Sequence, residues 1–370
     1  MNLADLYKKQ ISLSEWFADI NHEQTEAFRK EDNWKRKRME ELSEFIPFPF
    51  DKPTTFDAED VVDRTPEFKT FLKEHGDEMC ALRLIPKKEG LQKLRMRGMT
   101  ISDVIEDWLP KQDIVLEEYQ ADFMPHPKDH IWSTIFVVNT QGIIGEIIAG
   151  GHNQLTQGFH DDEHEPIRFR YIYDTDIVET DPHNDGAEEH IRELISYICV
   201  EDAAIRQKLI EKFDAQFAGE YLCGYLETVE SGDYGTWFID WNRVLGKLYK
   251  DFWVPIVSGK IEGDEFFTGT VGSPGIATGI VRIVHPDNIE SSVFNNGDIL
   301  VCLMTSPDYV PLMKRAGAVI TQEGGILSHA AIVSREMNVP CIVGVKDLLE
   351  ELSDGDLVEV DTENGVVRKI

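Results

Sequence analysis

The sequence predicts a mixed α and β protein built from more than one domain, and three observations support this prediction. The chain has 370 residues, which is longer than one average domain. Apolar residues in the first 45 positions are spaced by three and four, as in a helix. Residues 268–370 instead alternate β-branched runs with Gly, Pro and Asp turns, which indicates strands. Hydrophobic residues make up 42% of the chain, so these elements can build real cores.

The charge balance argues against nucleic acid and membrane partners. The chain has 37 Lys and Arg against 68 Asp and Glu, a net charge of −31, and such a surface repels phosphate backbones and anionic lipid. The 5 cysteines are scattered without metal-binding spacing, which is typical of free thiols in a reducing compartment. The start of the chain is amphipathic and charged, unlike a signal peptide, and no apolar run is long enough to span a membrane. We expect a soluble, cytoplasmic protein whose oligomeric state the sequence leaves open.

The residues before position 257 predict a helical N-terminal part, a β-rich middle, a second helical stretch and a final pair of strands. A helical N-terminal part is expected over residues 1–79, and the segment 236–256 reads as two strands joined around Leu245 and Gly246. A polar, Gly-containing linker is expected over 257–267. The remaining elements, in chain order, are a helix over 66–75, a strand over Cys80–Ile85, a helix over Ile101–Trp108, short strands over 114–151 and helical structure over His183–Gln216.

The chemical centre of the C-terminal part is the string TQEGGILSHAA at positions 321–331. A strand leads into a Gly-Gly turn, and a helix opens directly on His329. Unpaired backbone N–H groups and the positive end of the helix dipole favour an anionic phosphoryl group at that point. An imidazole that titrates near neutral pH is a competent nucleophile towards phosphorus and a good leaving group afterwards. A lone histidine would more often simply cap a helix, so its neighbours decide the interpretation.

Those neighbours suit a phosphoryl group. Gly324 and Gly325 let the backbone approach it without side-chain obstruction. Thr321 and Ser328 can supply hydroxyl donors, and Arg335 a planar cation. The sequence therefore predicts a phosphohistidine site in which His329 is the carrier.

The C-terminal residues resemble the mobile domain of the PEP-utilising enzymes, a family that includes phosphoenolpyruvate synthase and pyruvate phosphate dikinase. The resemblance covers residues 267–370 and implies a swivelling β/β/α domain over 268–370 in which His329 is phosphorylated at one site and dephosphorylated at another. The matching strings are SPGIATG at 273–279, MTSPDYVPLM at 304–313, the stretch 321–336, VPCIVG at 339–344 and DGDLVEVDTENGVV at 354–367.

Residues 1–256 resemble a reduced ATP-grasp domain, which in that family phosphorylates the histidine with ATP. The strand that carries Arg83 is similar to the family strand whose arginine touches nucleotide phosphates, and Lys93 belongs to a dense basic stretch beside it, at 87–97. A solvated basic face is an equally good interpretation of that stretch. The segment with Glu117 and Glu118 resembles the hinge strand that hydrogen-bonds adenine.

The resemblance places a Mg²⁺ ligand at Asp240, because a hard cation that bridges ATP oxygens needs a carboxylate there. The family's following Gln-x-Arg-Pro string falls on residues 252–255, where the sequence is Phe-Trp-Val-Pro and only the proline remains. Glu227 or Glu230 could supply a second carboxylate.

Two functions follow from these expectations. In the first, the chain is an ATP-dependent phosphotransferase that phosphorylates His329 with Mg·ATP and passes the group to an acceptor. The resembled synthases bind pyruvate in a barrel after the mobile domain, whereas this sequence ends at Ile370, so we expect a small-molecule acceptor or a separate subunit. In the second, the nucleotide site has decayed, and the chain is a phosphocarrier or regulatory module phosphorylated by a partner. A third alternative keeps the domain only as a fold.

Overall fold

The computed structural model describes Phe17, Leu91 and residues 22–88, 94–127, 129–157, 164–253 and 266–370. These residues form two compact units. The larger unit comprises the described residues up to Phe48, Trp132–Val229 and Asp240–Ile370, and the smaller comprises Pro49–Ile131 and Glu230–Ile239. Both helices and strands are abundant, so the predicted mixed α and β class is confirmed.

The secondary structure of the described residues is as follows. The helices are α1 Thr25–Asn33, α2 Lys35–Ser43, α3 Ala58–Asp63, α4 Pro66–His75, α5 Ile101–Asp103, α6 His152–Gln157, α7 Asp185–Ile198, α8 Ala203–Phe213, α9 Arg243–Leu248, α10 Val310–Met313, α11 His329–Glu336 and α12 Leu348–Glu351. The strands are β1 Thr54–Asp57, β2 Met79–Pro86, β3 Leu94–Thr100, β4 Tyr119–Pro125, β5 Trp132–Val138, β6 Ile143–Ile148, β7 Ile167–Ile172, β8 Ile177–Asp181, β9 Phe217–Ala218, β10 Tyr221–Leu222, β11 Gly224–Ser231, β12 Gly235–Asn242, β13 Phe266–Thr268, β14 Thr270–Ser273, β15 Ile276–Ile283, β16 Ile299–Cys302, β17 Ala318–Thr321, β18 Cys341–Val343, β19 Leu357–Asp361 and β20 Val366–Lys369.

The smaller unit is built on an antiparallel sheet in the order β1-β4-β2-β3. Its core joins the inner face of this sheet to α3 and α4, with Phe68, Leu82 and Phe123 fully or almost fully buried. The helix predicted over 66–75 and the strand predicted over Cys80–Ile85 are both present. Strand β1 lies inside the stretch 1–79 that was expected to be helical.

The larger unit contains a six-stranded sheet in the order β12-β11-β5-β6-β7-β8. Every residue of β6 is buried, although its sequence IIGEII includes a glutamate. Of the two strands predicted around Leu245 and Gly246, the first is present as β12. The predicted junction is wrong, because α9 follows β12 directly, and residues 254–256 of the predicted second strand lie outside the described residues. The side chain of Asn242 caps α9 by accepting a hydrogen bond from the Leu245 N–H at 2.8 Å. Gly246 lies against Gly224, where a methyl group would be 2.5 Å from the Gly224 Cα.

An eight-stranded mixed sheet forms the C-terminal part of the larger unit, in the order β13-β20-β19-β15-β16-β17-β18-β14. Strands β15 to β18 are parallel neighbours in this order, and helices α10 and α11 make the crossovers from β16 to β17 and from β17 to β18. Successive residues of β16 point to opposite cores, since Leu300 packs with the helices and Val301 packs towards β19. His329 therefore follows the carboxyl end of a central parallel strand, where ligands of open α/β sheets bind.

Two further expectations are refined by the structure. The helical stretch His183–Gln216 is divided into α7 and α8, and Asp202 caps the second helix through its side chain. Residues 257–265 of the predicted linker lie outside the described residues, and Phe266 and Phe267 belong to β13. No helix in the described part of the chain is long and apolar enough to cross a membrane.

Candidate active site

His329 is the first residue of α11, and its surroundings are shaped by the turn that precedes it. Ser328 is the N-cap, and its Oγ accepts from the Ala331 N–H at 3.5 Å. Gly324 has φ +115°, a conformation that favours glycine. The imidazole thus emerges where the first N–H groups of the helix have no intrahelical partner, as the sequence predicts.

Burial lowers the pKa of His329 to about 4. Two apolar side chains close to it in the chain, Leu327 and Ile332, are nearly inaccessible, at 3% exposure. These two side chains join the hydrophobic core formed by the six-stranded sheet and α9. The imidazole is therefore neutral at physiological pH, and a neutral ring has the nitrogen lone pair that a nucleophile needs.

A cavity of about 200 Å³ is lined by His329 and by four charged side chains of the larger unit, Asp32, Lys35, Glu227 and Asp240. Lys35, the first residue of α2, lies with its Nζ 3.2 Å from Oδ2 of Asp240 and 3.6 Å from Oε2 of Glu227. Asp240 is on β12 and Glu227 is on the neighbouring strand β11. The fold thereby brings Asp240, predicted as a metal ligand, and Glu227, suggested as a second carboxylate, to one cavity with the predicted phosphoryl carrier.

Buried ion pairs hold Asp240 in place. Arg38, one turn after Lys35, is fully buried and donates to Oδ1 of Asp240 at 3.1 Å and to the Trp241 carbonyl at 2.8 Å. Its guanidinium also lies 3.4 Å from Oε2 of Glu31, which is 2% exposed and is bound by Arg243 through its backbone and side chain. Cations thus compensate each of these buried carboxylates.

The pKa values of Asp240 and Glu227 are shifted in opposite directions. Burial raises the pKa of Asp240, and the neighbouring charge of Glu227 adds to this effect. The pKa of Glu227 is lowered, since Lys35, His152 and the Tyr225 hydroxyl together outweigh the opposing effect of burial. The Tyr225 hydroxyl donates to Oε1 of Glu227 at 2.9 Å. Asp240 is thus the member of the pair that holds a proton more readily.

The donor set fits a hard cation. Oδ2 of Asp240 and Oε2 of Glu227 both approach one cationic group, the ammonium of Lys35. A metal ion at the position of this ammonium would be within reach of the same two oxygens. Mg²⁺ prefers carboxylate oxygens and keeps several of its waters. Asp240 and Glu227 could therefore hold Mg²⁺ if Lys35 moves aside. Glu230, the other suggested carboxylate, belongs to the smaller unit.

The structure assigns other contacts to two of the predicted phosphate ligands. Thr321 is fully buried at the end of β17, and its hydroxyl donates to the Glu323 carbonyl at 2.6 Å, which closes the turn before His329. Arg335 donates to the Gly272 carbonyl. Its guanidinium stacks 4.1 Å from the centre of the Tyr249 ring and 3.9 Å from that of Phe252. These contacts anchor both side chains within the domain, and their predicted role as phosphoryl ligands stays a prediction.

Gly325 is placed against a carboxylate that the sequence analysis did not select. A methyl group on Gly325 would lie 2.6 Å from Cδ of Glu146 and would overlap its carboxylate oxygens. Glu146 is 2% exposed on β6, and its Oε1 accepts from the Ile326 N–H at 2.9 Å. Burial raises the pKa of Glu146 to about 7, although the Ile326 N–H and the charge of Arg168 oppose the shift.

The predicted nucleotide residues of the smaller unit form two groups. Arg83 on β2 is paired in register with Arg95 on β3. The pKa of Arg97 is lowered by partial desolvation and by the positive charges of Arg83 and Arg95, so the three guanidinium groups lie near one another. Lys93 lies outside the described residues. A cluster of like charges of this kind is suited to an anionic ligand.

The second group differs from its predicted conformation. Glu117 and Glu118 lie in a 3₁₀ turn, Leu116–Glu118, and not in an extended strand. The Glu118 carbonyl accepts from the Lys87 N–H at 2.7 Å, and its carboxylate accepts from Lys88 at 2.7 Å. The strand geometry predicted for the adenine hinge is wrong at Glu117 and Glu118, since they lie in a 3₁₀ turn in which Glu118 is bound by Lys87 and Lys88.

Sequence reasoning missed Lys35 and Glu146. The basic run KRKR at 35–38 looks like a solvated helix face, so nothing in it distinguishes Lys35 from its neighbours. Glu146 did carry a signal, because a lone glutamate in the apolar run IIGEII is a charge in a buried strand.

Comparison with known proteins connects the C-terminal geometry to a family. Residues 294–365 match the family described as "PEP-utilising enzyme, mobile domain". Three relatives are similar to the chain over part of its length. "Probable phosphoenolpyruvate synthase" from Archaeoglobus fulgidus is 50% identical over 111 residues, 30% of this chain and 15% of that protein. "Phosphoenolpyruvate synthase" from Pyrococcus furiosus is 40% identical over 144 residues, 39% of this chain and 18% of that protein.

The third relative is "Uncharacterized phosphotransferase YvkC" from Bacillus subtilis, which is 48% identical over 99 residues. That alignment covers 27% of this chain and 12% of the relative. The chain therefore matches less than a fifth of the length of each of these three proteins.

Proposed function

Because residues 294–365 belong to the mobile-domain family of PEP-utilising enzymes, we propose that this chain is a phosphotransferase that uses His329 as its phosphoryl carrier. One observation carries the proposal: the imidazole of His329 lines the same small cavity as Lys35, Glu227 and Asp240. In this proposal His329 is a nucleophile that shares a cavity with a cation and with two carboxylates suited to Mg²⁺.

We propose ATP as the phosphoryl donor. The cavity of about 200 Å³ is smaller than clefts that enclose whole ligands, which measure roughly 300–1,000 Å³, so it suits the phosphate end of the nucleotide. A ring nitrogen of His329 forms the new P–N bond with its lone pair, while the P–O bond to the leaving group breaks and its electron pair departs with that oxygen. Mg²⁺, held by Asp240 and Glu227, would neutralise charge on the phosphate oxygens.

The roles of this chain's own residues follow from their contacts. Lys35 offers a mobile ammonium to phosphate oxygens, and burial keeps His329 neutral. The apolar side chains of Leu327 and Ile332 limit water around the imidazole. The acceptor is proposed to be a small molecule or a separate subunit.

Labelled ATP tests this function directly. Wild-type protein incubated with Mg·ATP labelled at the β- or γ-phosphate should acquire acid-labile label, and the position that labels the protein identifies the phosphate transferred. His329→Ala should acquire none, whereas the control His183→Ala, whose side chain is 71% exposed, should label normally. Equal label on wild type and His329→Ala would refute the carrier role.

The pH dependence of labelling provides a separate prediction. Since burial lowers the pKa of His329 to about 4, the imidazole stays neutral as the pH falls from 8 to 5.5, and protonation stops the reaction only near pH 4. The initial rate should therefore change by less than about threefold over pH 5.5–8. With an ordinary imidazole pKa of about 6.5, the initial rate would fall about tenfold between pH 7.5 and 5.5. A fall of that size in rapid-quench measurements would contradict a neutral His329.

The second candidate function is a phosphocarrier that a partner phosphorylates. The 3₁₀ turn at Leu116–Glu118 favours it, because the segment expected to hydrogen-bond adenine is not an extended strand, and its Glu118 carbonyl accepts from Lys87. It predicts no nucleotide binding by calorimetry and label on His329 from phosphoenolpyruvate with a partner enzyme. Tight ATP binding would exclude it.

A further inference from the structure

Glu146, a residue of the six-stranded sheet, contacts the turn that carries His329 through its carboxylate. Oε1 accepts from the Ile326 N–H at 2.9 Å, three residues before His329. Oε2 is buried and has no hydrogen-bond partner among the described residues. A carboxylate placed inside a sheet in this way costs free energy, so its position calls for a function.

Gly325 is a glycine because of this contact. For a methyl group built on Gly325, the three nearest atoms all belong to the carboxyl group of Glu146. Gly325 does not have a positive φ, so its backbone conformation does not require glycine. Gly324 differs, because its φ of +115° favours glycine without any neighbour. The two glycines of the motif therefore serve different purposes.

We propose that Glu146 is a positioning residue that receives the phosphohistidine turn and holds His329 at the cavity. The inference rests on the proposed function of His329. Docking brings the small surface of Gly325 onto the carboxylate, the Ile326 N–H onto Oε1, and Leu327 into the apolar core beside the cavity. The imidazole of His329 would be held less firmly if position 325 carried a larger side chain or if Glu146 were lost from the sheet.

Amide hydrogen exchange of Ile326 measures this docking without nucleotide. Glu146→Ala and Glu146→Met should each raise the exchange rate of the Ile326 amide by about tenfold or more. Glu146→Gln retains the accepting oxygen and should stay within about threefold of wild type. The matched control is Glu179→Gln, on β8 of the same sheet, which should leave the rate unchanged. Met and Gln fill similar space, but only Gln keeps an accepting oxygen. Equal protection of the Ile326 amide in Glu146→Met and Glu146→Gln would therefore overturn the proposal.

A double-mutant cycle tests the role of Gly325. Gly325→Ala alone should raise Ile326 exchange by about tenfold, whereas in the Glu146→Ala background it should add less than twofold, because the group it meets is gone. Exchange of the β16 amides, Ile299–Cys302, should stay constant in all variants and shows that the domain is folded. Additive effects would overturn the proposal.

The exchange results are independent of phosphoryl transfer. Normal labelling of His329 in every variant, despite faster Ile326 exchange, would refute the positioning role while leaving the phosphotransferase function intact. Absence of label in wild type would refute the proposed function, whatever the exchange shows. Both proposals are supported when the rate of labelling falls in Glu146→Met and is retained in Glu146→Gln.

Discussion

Replacement of Lys35 by alanine is expected to lower the initial rate of His329 phosphorylation by about a hundredfold. Removal of one positioned donor from a site where charge develops typically costs 10²–10³-fold in rate. The ammonium of Lys35 lies 3.2 Å from Asp240 and 3.6 Å from Glu227, two carboxylates of the cavity. In the proposed reaction this ammonium donates to phosphate oxygens, and the alanine variant lacks that donor.

The matched control is Lys37→Ala on the same helix. The side chain of Lys37 is 72% exposed and lies 3.9 Å from Glu41, so this variant should label at the wild-type rate. Labelling is followed by rapid quench at saturating Mg·ATP, and urea unfolding checks that both variants are folded. A Lys35→Ala protein that labels as fast as Lys37→Ala would show that the ammonium only pairs with the carboxylates.

Replacement of Arg38 by alanine is expected to lower the free energy of unfolding by about 3–5 kcal/mol. Removing one partner of a buried ion pair leaves an uncompensated buried charge, and losses of that size are typical. Arg38 is fully buried and contacts both Glu31, at 2% exposure, and Asp240, at 6% exposure. The Trp241 carbonyl would also lose its donor.

Urea unfolding of wild type and variants measures this loss. Arg29→Ala is the control, since Arg29 pairs with Glu26 on the surface of α1 with half of its side chain exposed, and exposed pairs contribute about 0–1 kcal/mol. An Arg38→Ala protein within 1 kcal/mol of Arg29→Ala would mean that water or a rearranged Arg243 replaces the guanidinium.

Local sequence chemistry predicted much of the C-terminal architecture and its centre. The alternation of β-branched residues with turns predicted the strands, and the Gly-Gly turn before His329 predicted the helix start that Ser328 caps. These features depend on residues that are close in the chain, so they can be predicted from the sequence. The prediction around Leu245 and Gly246 was wrong, because the cap at Asn242 and the close approach of Gly224 favour a helix over the strand that the apolar run suggested.

The roles of individual site residues depended on distant contacts. Thr321 and Arg335 looked like phosphate ligands in the motif, yet Glu323 engages the first, and Gly272 with two aromatic rings engages the second. Lys35 lies almost 300 positions before His329, and its sequence surroundings are those of an exposed basic face. Long-range packing alone decides which lysine of such a face enters a cavity.

By itself, the sequence determined that His329 opens a helix after a glycine turn, because capping and turn preferences act within a few residues. The tertiary structure decided what the imidazole faces and what holds it there. Strands β11 and β12 bring Glu227 and Asp240 to the cavity, and β6 presents Glu146 to Gly325. Such contacts join residues from separate parts of the chain, and their energies depend on burial that arises only when the sheet and the histidine turn pack together.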